Sequence, residues 1–274
     1  MQGAIGIFDS GYGGLTIFEQ IRRKLPEYDF LYLGDNARSP YGNRSYEVVY
    51  RFTLQAVRWL FSKGCNLVII ACNTASAKAL RTIQQNDLPS IDPEKRVLGV
   101  IRPTAEFIGN VTHSRHVGVL GTPGTISSNS YPIEINKLFP DIKVFNAACP
   151  MWVPLVENNE HNKPGADYFI RKYLNDILSQ DNAIDTLILA CTHYPLLEKN
   201  IRKVLPANIN LVSQGQLVAD SLKDYLHRHP EMDSRCTKNS TSRFFTTESE
   251  NKFSSMASVF LDWTIKAEKA ELEG

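Results

Sequence analysis

LVIIACNTASA, residues 67–77, is the stretch from which the fold can be read. Leu67 to Ile70 form an unbroken aliphatic run, the pattern of a strand covered on both faces. Ala71 and Cys72 close the run, Asn73 and Thr74 are good helix N-caps, and an Ala-rich segment follows. A buried strand feeding directly into a helix is the elementary step of a parallel α/β sheet. TLILACTHYP (186–195) repeats that step: aliphatic strand, Ala-Cys, Thr, and a proline suited to the first turn of a helix.

Outward from these two stretches, short apolar runs alternate with segments of helical period. Further strands are expected at 4–8, 30–34, 96–101, 116–121, 142–147 and 208–212, with SRFFTT (242–247) as a late edge strand. Residues 45–62 place Val48, Val49, Phe52, Val57, Leu60 and Phe61 at helical spacing, and Gly64 is a natural stop. Amphipathic segments are expected near 126–138, 164–179, 195–204, 214–228 and 250–270. The tail KAEKAELEG reads as a solvated helical face.

The chain repeats itself weakly. GIFDSGYGG (6–14) matches GVLGTPGT (118–125), as LVIIACNTA matches TLILACTHY. Asp9 and Cys72 are 63 positions apart, Thr122 and Cys191 69, so the two elements recur in one order at nearly one separation. The expected fold is α/β: two pseudo-symmetric, open parallel-sheet domains with helices on both faces. Residues 1–98 plus 207–274 would form the first domain and 99–206 the second, with crossings near 96–103 and 205–212. Ligands of such sheets gather at the C-terminal strand ends, so the active site is expected in the cleft between the domains.

Composition narrows the function. Hydrophobic residues make up 43% and charged residues 22%, the balance of a globular chain and not of a disordered one. Thirty basic against twenty-nine acidic residues leave a charge of +1, which gives nucleic-acid binding no electrostatic support. No apolar window reaches membrane-spanning length. The opening MQGAIGIFDSGYGG has no basic region before its apolar residues, and the five cysteines are an odd count without a CxxC pair. The expectation is a cytoplasmic protein with reduced thiols.

Cys72 and Cys191 sit between a strand and a helix, where the helix dipole lowers a thiol's pKa. Packing as small hydrophobes is the plain alternative. His193 stands two positions past Cys191, close enough in sequence to exchange its proton. Zinc binding by Cys72, Cys149, Cys191 and His193 is a competing reading that lacks paired ligands. A Cys–His hydrolase is another, and it leaves Cys72 without a role. DSGYGG as a phosphate cradle lacks the Gly-Lys-Ser/Thr ending. Two thiols at one cleft fit the inversion of a carbon centre, which takes a proton from one face and returns one to the other.

DSGYGG (9–14), GDNARSPYG (34–42), VIIACNTASA (68–77), GTPGTISSNSY (121–131), CPMWVPLVE (149–157) and ACTHYP (190–195) together resemble the bacterial glutamate racemases. RFFTTESENKF (243–253) resembles that family's C-terminal element. The resemblance implies interconversion of L- and D-glutamate without pyridoxal phosphate, metal or other cofactor, the D-form supplying peptidoglycan. It implies Cys72 as the thiol acting on the D-enantiomer and Cys191 as the one acting on the L-enantiomer. Asp9 would assist the first thiol, Glu157 and His193 the second. Asp9, Ser10, Tyr41, Gly42, Asn73, Thr74, Thr122, Thr192 and His193 are the implied substrate contacts, and a homodimer is the implied assembly. The nearest alternative activity is racemisation of aspartate or another amino acid. Two departures stand out: SQG at 213–215, where many members carry Asp-Ser, and Asn36 in place of a common Thr. The first is expected to lie off the chemical centre and to alter only surface or regulation. Cys65, Cys149 and Cys236 are expected to be packing or surface residues.

Overall fold

The computed structural model describes residues 2–272 and contains two parallel sheets. In chain order the strands are β1 (Ile5–Asp9), β2 (Phe30–Gly34), β3 (Leu67–Ile70), β4 (Arg96–Gly99), β5 (His116–Gly121), β6 (Lys143–Ala148), β7 (Thr186–Ala190), β8 (Asn210–Val212), β9 (Ser242–Thr246) and β10 (Ala267–Lys269). The larger sheet runs β10-β9-β2-β1-β3-β4 and the smaller β6-β5-β7-β8. Within each, the second strand, the first, the third and the fourth lie side by side in that order. This is the duplication that the two Ala-Cys stretches announce. The register carries it further: Phe8 lies beside Ile70, and Gly121 beside Ala190.

β1, β2, β3 and β7 are buried along their whole length, because helices cover both faces of each sheet. The helix Tyr46–Ser62 shows how the sequence builds one such layer. Ser45 caps it by accepting from Val48 N, Val49, Thr53, Ala56, Val57, Leu60 and Phe61 face the sheet, and Gly64 turns the chain out at φ +93°. Thr122 caps the helix Pro123–Ser127 in the same way, through Thr125 N.

Four expectations need correction. β8 pairs with β7, so residues 210–212 belong to the smaller sheet, and the backbone returns to the larger one only after Val212. The segment 207–212 is therefore misassigned by a boundary at 206. β9 is not an edge strand: it lies between β2 and β10. The edge is the AEK of the tail, which is strand and not helix. Ala267 and Ala270 are buried there while Glu268 and Lys269 between them are exposed, Glu268 pairing with Arg243, a stretch too short to be read against helical charge spacing. The helix beginning at Glu250 ends at Ala257.

Candidate active site

The C-terminal ends of β1, β3, β5 and β7 meet where the two halves face each other, and one narrow cavity of about 50 Å³ lies between them. Cys72 and Cys191 both line it, one from each half. Ser10, Tyr41, Gly42, Asn73, Thr74, Thr122, Thr192 and His193 line it as well. Asp9 and Glu157 do not; each stands behind a residue that does.

On the first half, Ser10 Oγ lies 3.3 Å from Cys72 Sγ, and Ala75 N donates to that sulfur at 3.5 Å. Asp9 has no exposed surface. Its carboxylate accepts from Gly11 N at 2.9 Å and from Thr192 Oγ1 of the other half at 3.5 Å. Burial raises the Asp9 carboxyl above its ordinary value, against the pull of His193 and the backbone amides. Burial, reinforced by Asp9, also pushes the Cys72 thiol up to about 12. The expectation that the helix start lowers this thiol is thus overturned: the water-poor cavity outweighs the dipole of one short helix.

On the second half, Cys191 Sγ is 3.9 Å from His193 Nδ1, and His193 Nε2 is 3.0 Å from Glu157 Oε1. Burial alone would depress the imidazole, but the hydrogen bonds and charges of Cys191 and Glu157 prevail and raise it to about 10. Glu157 is the last residue of the helix Trp152–Glu157, and Phe260 from the C-terminal segment presents its ring to His193 at 5.7 Å. Among the described residues no group of three His, Cys, Asp or Glu side chains is arranged to hold a metal ion.

Contacts across the cleft hold the halves at close range. Gly124 N donates to Gly42 O at 2.7 Å, and the hydroxyls of Thr74 and Thr122 are 2.9 Å apart. A Cβ on Gly13 would come within 2.3 Å of Thr192 Oγ1 and 2.4 Å of His193 Nδ1, so glycine is required there by the approach of the second half. Tyr41 is held from behind, its hydroxyl donating to the buried carboxylate of Asp35, which also receives Arg38 and Thr247.

The sequence reading missed part of the wall. Cys149, Pro150, Val153 and Pro154 line the cavity, and Cys149 is fully buried near Cys191. Their block, CPMWVPLVE, was in view, but only its acid carries an obvious chemical signal. Asn36 keeps a partner, accepting from Thr246 Oγ1 at 3.1 Å. The expectation for SQG fails: Gln214 is buried, and its amide oxygen accepts from Asn73 at 2.8 Å, directly behind the cavity. A larger groove of about 690 Å³ shares no residue with the thiol cavity, and its Arg81, Arg102 and Lys137 are paired with Glu134.

Two thiols, one from each half, thus line one small cavity, with a buried carboxyl behind the first and an imidazole–carboxylate pair beside the second. Residues 14–222 match the family described as Asp/Glu/Hydantoin racemase, and the chain belongs to that family. It is 39% identical over 270 residues to the glutamate racemase of Persephonella marina, covering 98% of this chain and 97% of that one. Its fold superposes on glutamate racemase isoform RacE1 of Bacillus anthracis with a TM-score of 0.89, at 36% identity and with 98% of each chain covered. The glutamate racemase of Francisella tularensis, solved with D-glutamate, gives 0.86 at 33% identity, covering 99% of this chain and 98% of that one. The chain is thus an amino-acid racemase of the glutamate racemase type.

Proposed function

We propose that this chain interconverts L- and D-glutamate by passing protons between Cα and two cysteines, without metal or pyridoxal phosphate. The observation that carries the reading is the convergence of Cys72 and Cys191, from the two halves of a duplicated fold, on one cavity. One thiol, as thiolate, takes the Cα proton while the other, as thiol, delivers a proton to the opposite face; the next turnover in reverse uses them in exchanged states. Cys72 serves the D-enantiomer and Cys191 the L-enantiomer in this assignment. The enantiomers have equal free energy in water, so the cycle needs no driving reagent.

The surroundings suit each step. A thiol that burial, with Asp9, pushes up to about 12 is a strong base once ionised, and an ammonium group brought in beside Asp9 would offset the part of that push due to charge. The imidazole of His193 is placed to exchange a proton with Cys191, and Glu157 holds the ring's far nitrogen. The hydroxyls of Ser10, Thr74, Thr122 and Thr192 line the cavity as neutral donors for carboxylates, whose charge grows as Cα loses its proton. The product D-glutamate would supply peptidoglycan synthesis in the cytoplasm, and a homodimer is the proposed working form.

The test is isotopic and mutational together. In deuterium oxide, each pure enantiomer acquires deuterium at Cα as it racemises. Cys72→Ser and Cys191→Ser each lower kcat by on the order of a thousandfold, the range of a lost general acid–base group. Full racemisation by either variant would end the two-thiol reading.

A further inference from the structure

A buried ring of three side chains links the residue after Cys72 to both chain crossings between the halves. Gln214 follows β8 on the return crossing and is 2% exposed. Its amide oxygen accepts from Asn73 Nδ2 at 2.8 Å, and its amide nitrogen donates to Tyr131 Oη at 2.6 Å and to Thr104 Oγ1 at 2.7 Å. Tyr131 Oη in turn donates to Asn73 Oδ1 at 2.5 Å, which closes the ring. Each donor meets an acceptor, so turning over either amide would set like groups against each other. Both polar ends of the Asn73 side chain are therefore occupied, although the residue lines the cavity.

The members come from separate elements. Asn73 opens the helix Asn73–Lys78, Tyr131 lies on the helix Ser130–Leu138 of the second half, and Thr104 lies on the helix that follows the first crossing. A buried polar network of this kind gains strength from its low dielectric only while every member is satisfied.

We propose that Gln214 is a positioning residue for the thiol of Cys72. That sulfur has two local contacts, at 3.3 and 3.5 Å, so its aim is inherited from the start of its helix, which the ring pins through Asn73. Cys191 is aimed by a different device, the His193–Glu157 pair. Loosening the ring therefore bears first on Cys72, whose helix start it pins through Asn73; Tyr131, an electrostatic neighbour of Cys191, is the less selective of the two levers. The inference rests on the two-thiol reading of the site.

A racemase has an equilibrium constant of one, so kcat/KM must fall equally in both directions in any variant. The selective lesion shows instead in the primary isotope effects. With Cys72 misaimed, removal of the Cα deuteron by Cys72 becomes more rate-limiting, and the isotope effect for its enantiomer rises. For the other enantiomer the labelled step precedes the impaired one, and its isotope effect falls.

The experiment uses the full chain carrying Gln214→Met, which keeps length and volume, and Tyr131→Phe, which removes one hydroxyl. Each is expected to lower kcat/KM by on the order of tenfold to a hundredfold, the scale of a misplaced reacting group. Their double variant should fall short of the product of the two losses, because they share one network. The isotope effects measured with Cα-deuterated L- and D-glutamate should move apart in both. Circular dichroism melts report the folded fraction, and Tyr131→Phe carries the test if Gln214→Met does not fold. Isotope effects that keep their parental ratio per folded molecule would overturn the proposal, whether or not activity falls. Cys72→Ser is assayed alongside. If it racemises fully, the two-thiol reading and this inference fail together; if it is inactive while the Gln214 and Tyr131 variants behave as the parent, only this inference fails.

Discussion

The two thiols occupy equivalent places in a duplicated fold, yet their proton inventories differ. Cys72 has a hydroxyl beside it and a fully buried Asp9 behind it, whose carboxyl is raised above its ordinary value by burial. Cys191 has an imidazole beside it that the hydrogen bonds and charges of Cys191 and Glu157 raise to about 10 against burial. On the first side burial raises the thiol, and on the second it is the neighbouring imidazole that is raised. The repeated strand order places the two thiols alike, and different neighbouring residues surround each. Ligand charge is expected to matter more on the Cys72 side, where among the described residues the sulfur's contacts are a hydroxyl and a backbone amide.

The sharpest way to break this contrast is to remove the imidazole. His193→Asn leaves a neutral amide where Cys191 had an imidazole 3.9 Å away, and Glu157 loses its partner. We expect kcat to fall by on the order of a hundredfold to a thousandfold in steady-state assays from either enantiomer. A loss below tenfold would mean that Cys191 does not depend on the imidazole relay, and the two sides would then be alike.

Glu157→Gln sharpens the same point with a smaller effect. It keeps a hydrogen-bonding group at His193 Nε2 but removes the charge, so the imidazole pKa falls from about 10 toward its ordinary value. A drop in kcat of about tenfold is expected, with the alkaline limb of the pH profile moved to lower pH and the shift read directly by NMR titration of His193. Stability should follow suit. A histidine raised in the folded state holds its proton above pH 6.5 while the unfolded chain releases it, so its stabilisation is complete below 6.5 and is lost as pH rises toward 10. Denaturant unfolding should show a decline of at most about 2 kcal/mol between about pH 7 and 8.5, and Glu157→Gln should flatten it.

Much of this was legible in the chain because the signals were local. The strand-Cys-helix steps at 67–77 and 186–195 fix both sheets and both thiols through residue type alone. What escaped depends on distant partners. Gln214 reads as an ordinary residue before a helix, and nothing near it in sequence indicates that Asn73 and Tyr131 meet it. Cys149 and Phe260 reach the site only because the 149–157 segment and the C-terminal chain fold back over it. The tail strand escaped for another reason: three residues, one buried and two exposed, cannot compete with a charge pattern that also fits a helix. Ionisation was the least legible property. The direction of the Cys72 shift turns on burial, which no residue pair in the sequence declares.

Ser10→Ala is the mildest test, and it probes the quieter side. The Ser10 hydroxyl is the nearest polar side-chain partner of Cys72, at 3.3 Å, and its hydrogen bond opposes the upward push of burial on the thiol. Removing it should raise the Cys72 thiol further and cost roughly 0.5–1.5 kcal/mol, a fewfold to tenfold loss in kcat/KM. The same loss must appear in both directions, since the equilibrium constant is fixed at one. What distinguishes a tuned base from a lost contact is the pH profile of kcat/KM, which reports the free enzyme. Its ascending limb should move to higher pH in Ser10→Ala and stay in place in His193→Asn. A Ser10→Ala loss equal to that of His193→Asn would show that the Cys72 side depends as heavily on its hydroxyl as Cys191 does on its imidazole.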